Sequence, residues 1–183
     1  MHAMRWLVTC LALLVAGCPD KPADAPSRPL PAYSGHATEL FDDAVEPAAV
    51  GLDVDRSFAP RSDALLRERA QVSDAVLRVR VATVTTKQEE TGATFTIGLR
   101  PVEKLHGDHP PPGETFNVRI DKSSASQGIM KSFGARLVNR PFIAFVRLFV
   151  RPDGDSELHF HLSPDSKEMV SAVVDAISLQ RLK

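Results

Sequence analysis

Cysteine is nearly absent from this chain. Its two cysteines, Cys10 and Cys18, both lie near the amino terminus, so everything downstream folds without a thiol or a disulfide. Thiolate zinc sites, cysteine nucleophiles and a disulfide framework are thereby excluded from the downstream domain. Amphipathic aromatics are equally scarce: Trp6 and Tyr33 are the single tryptophan and tyrosine. No sign of charge dominates, with Lys+Arg 22 against Asp+Glu 23 and a formal net charge of -1. Without a basic field to hold a phosphate backbone, nucleic acid is not expected as a partner. Also missing are a Gly-x-Ser-x-Gly elbow, a glycine-rich phosphate loop and a His-Glu-x-x-His helix. These are common signatures of hydrolases, nucleotide enzymes and zinc peptidases. No cofactor is implied.

What is present begins at the amino terminus. Arg5 supplies a positive start, and Trp6 to Ala16 form an apolar core without an acid, too short to span a bilayer. Val15-Ala16-Gly17-Cys18 then places two small residues directly before a cysteine. This stretch resembles a bacterial lipoprotein signal, with Cys18 at the lipobox cysteine. The resemblance implies cleavage between Gly17 and Cys18, thioether diacylation of Cys18 and acylation of the new amino terminus. Removing residues 1–17 takes away Arg5 and leaves 21 basic against 23 acidic residues. Pro19 occupies the place where an aspartate marks inner-membrane retention in some bacteria, which favours the outer membrane of the cell envelope.

From residue 18 to 36 the composition shifts, with Pro19, Pro22, Pro26, Pro29 and Pro31 among small and charged residues. Proline at this density removes backbone donors and favours extended chain, so the stretch reads as a semi-rigid tether. Residues 37–183 read as a single domain, and 43% hydrophobic content is enough to build its core.

Leu40, Phe41, Ala44 and Val45 suggest a helix within 37–50, ended by Pro47. A second helix follows, with Ser62 as cap, Asp63 in its first turn and Leu65, Leu66, Arg69 and Ala70 at helical spacing. The period then changes to two. Strands are expected at about 75–86, 93–104, 115–120, 141–150 and 156–162. Pro101 marks a bulge or an edge. The run Phe142 to Val150 is the most buried strand, and Asp153-Gly154 makes the following turn. Between the third and fourth strands Ile129, Met130, Phe133 and Leu137 keep a helical period, with Ser123, Ser124 and Ser126 as its cap. Ser163-Pro164 opens a last helix over about 164–181, with Met169, Val170, Val173, Val174 and Ile177 as its apolar stripe.

The expected fold class is therefore α+β, mainly β: a small five-stranded barrel with an N-terminal helix, a helix between strands 3 and 4, and a C-terminal helix. That order resembles an OB-fold, a small Greek-key barrel. Val102-Glu103-Lys104-Leu105-His106-Gly107 and Arg140-Pro141-Phe142-Ile143-Ala144-Phe145 are similar to the netrin/TIMP-like branch of that fold. Members of the branch that inhibit metalloproteases insert a free, disulfide-bonded N-terminal cysteine into the enzyme's zinc site. This chain lacks the disulfides, and the lipoprotein resemblance implies that Cys18 is acylated, so inhibition by that route is not carried over.

Two groups of side chains invite a function. His159 and His161, at i and i+2 of a strand, project from one face with Glu157, a partial zinc or copper set awaiting a further ligand. Arg78, Arg80, Arg119 and Arg147, with Arg100, all fall on outward positions and form a cationic patch if their strands converge. Phe95, Phe116, Phe142 and Phe160 read as inward, leaving no aromatic platform for single-stranded nucleic acid. The sequence thus points to a lipid-anchored, non-enzymatic protein of the cell envelope that binds another envelope protein. The competing expectation is a metal-binding protein or metal-dependent enzyme built on His159 and His161.

Overall fold

The computed structural model describes residues 29–52, 59–90, 92–107 and 114–180. The stretch that resembles a lipoprotein signal, Cys18 and the start of the proline-rich run lie outside the described residues.

Six strands make one mixed sheet: β1 (Ala44–Val45), β2 (Ala75–Glu89), β3 (Gly92–Gly107), β4 (Phe116–Ile120), β5 (Pro141–Val150) and β6 (Ser156–Pro164). Their order across the sheet is β1-β6-β5-β2-β3-β4. Every pair is antiparallel except β1 with β6. The β2–β3 hairpin carries register shifts at Val76/Leu77, Arg78/Val79 and Val81/Thr83. Each shift adds local twist, and the sheet curls into a half-barrel. One shift lies beside Pro101, where Val102 is left out of the ladder and 60% exposed.

The curl has two buried faces. Its inside holds Leu77, Val79, Val81, Ile97, Leu99, Phe142, Phe160 and Leu162. Its outside is covered by helices α1 (Ala37–Leu40), α2 (Ala64–Val72) and α4 (Lys167–Gln180). There Val76, Ile143, Phe145 and Phe149 meet Leu40, Phe41, Leu66, Met169 and Val173. This two-sided burial explains why Phe142 to Val146 contains no polar residue. Phe41, Phe142, Phe145, Phe149 and Phe160 are fully buried, and each contributes about 2 kcal/mol by leaving water.

The structure corrects several sequence expectations. The sheet has six strands, because Ala44–Val45 is extended rather than helical. The helix expected within 37–50 stops at Leu40, since Asp43 takes a left-handed φ of 50° and Pro47 opens a 3-10 turn, Pro47–Val50. Helix α3 (Gln127–Phe133), continued by a 3-10 turn at Gly134–Leu137, therefore lies between the fourth and fifth strands, not the third and fourth. Asp63, not Ser62, caps α2, accepting from the Leu65 amide at 2.9 Å. Ser163-Pro164 ends β6 instead of starting the last helix; Ser166 supplies that cap, its hydroxyl accepting from the Met169 amide at 3.1 Å.

The serine cluster has a different task from the one its position suggested. Ser126 makes no side-chain cap on α3. Its hydroxyl accepts from the Val45 amide at 2.7 Å and donates to the Val45 carbonyl at 3.2 Å. Ser124 donates to the Asp43 carbonyl at 3.0 Å. These bonds join edge strand β1 to the chain that follows β4, across the open side of the half-barrel. Side chains make that join where a ladder would otherwise be needed.

Candidate functional site

His159 and His161 do share one face of β6, but that face is covered: they are 8% and 7% exposed. The cover is residues 31–46, which run back over β5 and β6. Pro31 accepts from the Val150 amide at 2.9 Å, and Ala32 forms a parallel bridge with Val150. Tyr33 then lies flat on His159, with ring centroids 3.4 Å apart and 9° between planes. The Tyr33 ring meets Phe149 edge-on at 5.2 Å, and its hydroxyl donates to the Phe41 carbonyl at 2.5 Å.

Each imidazole is held by its own aspartate. His159 Nδ1 lies 2.7 Å from Asp43 Oδ2, and His161 Nδ1 lies 2.8 Å from Asp42 Oδ1. The left-handed backbone at Asp43 makes the first contact possible. It lets the Asp43 amide donate to the Phe160 carbonyl at 2.9 Å while Asp43 Oδ1 accepts from the Phe160 amide at 3.1 Å. One aspartate thus imitates a strand pairing with β6 and holds the neighbouring histidine.

Burial dominates the electrostatics of this cluster. It raises the Asp43 carboxyl above its ordinary value, although the His159 hydrogen bond and charge and the Phe160 amide pull the other way. The Tyr33 phenol is raised too, first by burial and then by Asp43, Asp42 and Glu157. Behind them Arg69, 4% exposed, donates to the Leu40 carbonyl at 2.5 Å and sits 5.7 Å over the Phe145 ring. Burial lowers its guanidinium against the opposing pull of Asp42, Asp63 and Glu46.

The Glu-x-His-x-His set does not converge. Glu157 lies 3.8 Å from His159 Nε2 and 3.8 Å from Arg151 Nε, whereas His161 Nε2 faces Glu46 at 3.7 Å. Among the described residues no group of three or more His, Cys, Asp or Glu is arranged to hold a metal ion. The two imidazoles serve instead as fixed points for the covering segment.

The arginines likewise stay apart. Arg78 bonds Glu103 at 2.8 Å and Asp165 at 3.0 Å, and Arg119 bonds Asp121 at 2.6 Å. Arg80 donates to the Asn139 carbonyl at 3.0 Å and lies opposite Arg100 in the ladder. Arg147 stacks 5.4 Å over Phe149, its Nε buried without a hydrogen-bond partner. Strands β2 and β3 separate Arg147 from Arg119. No single cationic patch forms from these four.

The sequence reading missed Tyr33, Asp42, Asp43 and Glu46 as members of the cluster. Their one local cue was the Asp42-Asp43 pair inside the helix expected within 37–50. Among the described residues no helix is long and apolar enough to cross a membrane. No protein-family model matches the chain, and a search of curated proteins finds no match either.

Proposed function

We propose that this chain is a lipid-anchored, non-enzymatic protein of the bacterial cell envelope, and that its half-barrel domain binds another envelope protein. The order of features along the chain carries the reading. Val15-Ala16-Gly17-Cys18 comes first, then five prolines up to Pro31, whose carbonyl bonds Val150 of the sheet. A signal, a spacer and a folded head follow one another without a gap. The acylated Cys18 supplies attachment to the membrane, with Pro19 favouring the outer one. The head offers binding rather than chemistry: its clustered polar groups, His159, His161, Asp42 and Asp43, are engaged with one another. The curled sheet is loosely consistent with an OB-like barrel left open between β4 and β1, and a likeness to the netrin/TIMP-like branch belongs to the same reading.

Native mass spectrometry of the full-length protein, extracted gently from its own membranes, tests the binding role. The expected result is a stoichiometric companion protein. A lone lipidated chain would count against it, and a lone chain with a bound metal would restore the histidine reading.

A further inference from the structure

The segment between the proline-rich run and α1 is held in an unequal way. At its downstream end His36 is bonded on both ring nitrogens, to Glu39 at 2.9 Å and to Glu68 of α2 at 2.9 Å. Just before it Gly35 has a φ of +57°, and nothing lies within 4 Å of where its side chain would be. Upstream of that glycine, residues 29–34 are exposed except Tyr33. The stretch is held by the backbone bond and bridge to Val150, by the Tyr33 ring against His159 and Phe149, and by the Tyr33 hydroxyl on the Phe41 carbonyl. A cleft of about 390 Å³ adjoins it, lined by Ala32, Tyr33, Phe149, Arg151, Glu157 and His159.

We propose that residues 31–35 are a latch, with Gly35 as its hinge, His36 as its fixed end and Tyr33 as its catch in the slot formed by His159, Phe149 and the Phe41 carbonyl. Few buried apolar contacts and exposed backbone are the properties of segments that open locally while the rest of a domain stays folded. Within the latch, Tyr33 packs against the outer core cluster as a half-buried ring. Leu40 and Phe41, which do carry core packing, lie beyond the fixed end.

Opening the catch changes the reach of the domain, a consequence that rests on the anchor reading. With Tyr33 lifted, residues 31–35 join the chain between Cys18 and the head, which adds about 17 Å when fully extended. The latch therefore sets two distances between membrane and head without altering the head. Asp42, Asp43 and Glu157 face the Tyr33 phenol, and Arg151 lines the cleft beside it, so charged groups of both signs surround the slot.

Amide hydrogen exchange on the full-length protein in detergent micelles tests the latch. The Val150 amide, whose partner is Pro31, reports the catch; those of Val79 and Val81, in the sheet, report the fold. Val150 is expected to exchange at least tenfold faster than Val79 and Val81. Tyr33→Ala should accelerate Val150 a further tenfold or more with Val79 and Val81 unchanged, and Tyr33→Phe, which keeps the stack, should fall between. Val150 exchanging as slowly as Val79 would overturn the proposal, as would equal acceleration of all three amides in Tyr33→Phe. A Cys18 found without acyl chains would overturn the anchor reading and the change in reach, while the exchange pattern would still decide the catch.

Discussion

One hydroxyl, that of Ser126, satisfies both the amide and the carbonyl of Val45, 81 residues away in sequence. It is buried at 1% exposure, and so is Val45. Ser126→Ala leaves two buried backbone groups without partners, each costing about 1–3 kcal/mol. A loss of about 3 kcal/mol lowers the melting temperature of a domain this size by about 6–12 °C. Calorimetry on the variant checks this, and an unchanged melting temperature would mean that the half-barrel is not held there.

Gly107 ends β3 with a φ of +74°, and a methyl group at its α-carbon would strike the Asp74 backbone carbonyl. Gly154, in the β5–β6 turn, has a φ of +91° with open space around it. Left-handed backbone alone costs a side chain about 1–2 kcal/mol. Gly154→Ala should therefore lose about that much in a urea titration, and Gly107→Ala clearly more. Equal losses would deny the steric contact.

Tyr33 is the only tyrosine, so its titration is visible without mutation. Burial and three carboxylates raise its phenol. A group raised on folding contributes stability below its unfolded value, about 10 for tyrosine, and loses it as pH climbs through the folded value. Absorbance of the phenolate should stay flat through pH 10 and rise only at higher pH, with release of the ring. A rise centred near 10 in the folded protein would place Tyr33 in water.

Asp43 is also raised, chiefly by burial. Its contribution is therefore fullest below the ordinary carboxylate range, near pH 4, and is lost as pH rises through the elevated value. Asp43→Asn removes the titration. The stability of the natural protein relative to this variant should fall as pH is raised from about 4 towards neutrality, read as the difference in melting temperature. A difference that grows with pH would show that the bond to His159 outweighs desolvation.

Much of the sheet was legible because period-two patterns carry their own register. Leu77, Val79 and Val81, and Phe142 to Val150, lie in strands as their patterns predict. The site was far less so. Alternation at Leu158 to Leu162 separates two faces of β6 but does not say whether the second is wet. His159 and His161 read as a partial metal set on an open face because the segment that covers them lies more than 110 residues upstream. Tyr33 was hidden by its setting, since a proline-rich composition describes a tether and says nothing of one ring that docks. Asp43 owes its role to a left-handed φ that no local pattern demanded. Ser126 looked like a helix cap because its true partner is distant in the chain.

Attachment through Cys18 is the central claim, and intact mass spectrometry of the protein made in a bacterium with lipoprotein processing tests it most directly. The predicted species begins at Cys18, carries acyl chains, incorporates labelled palmitate and loses the label in Cys18→Ala. A chain that keeps Met1, or one cleaved elsewhere with Cys18 unmodified, would contradict the account.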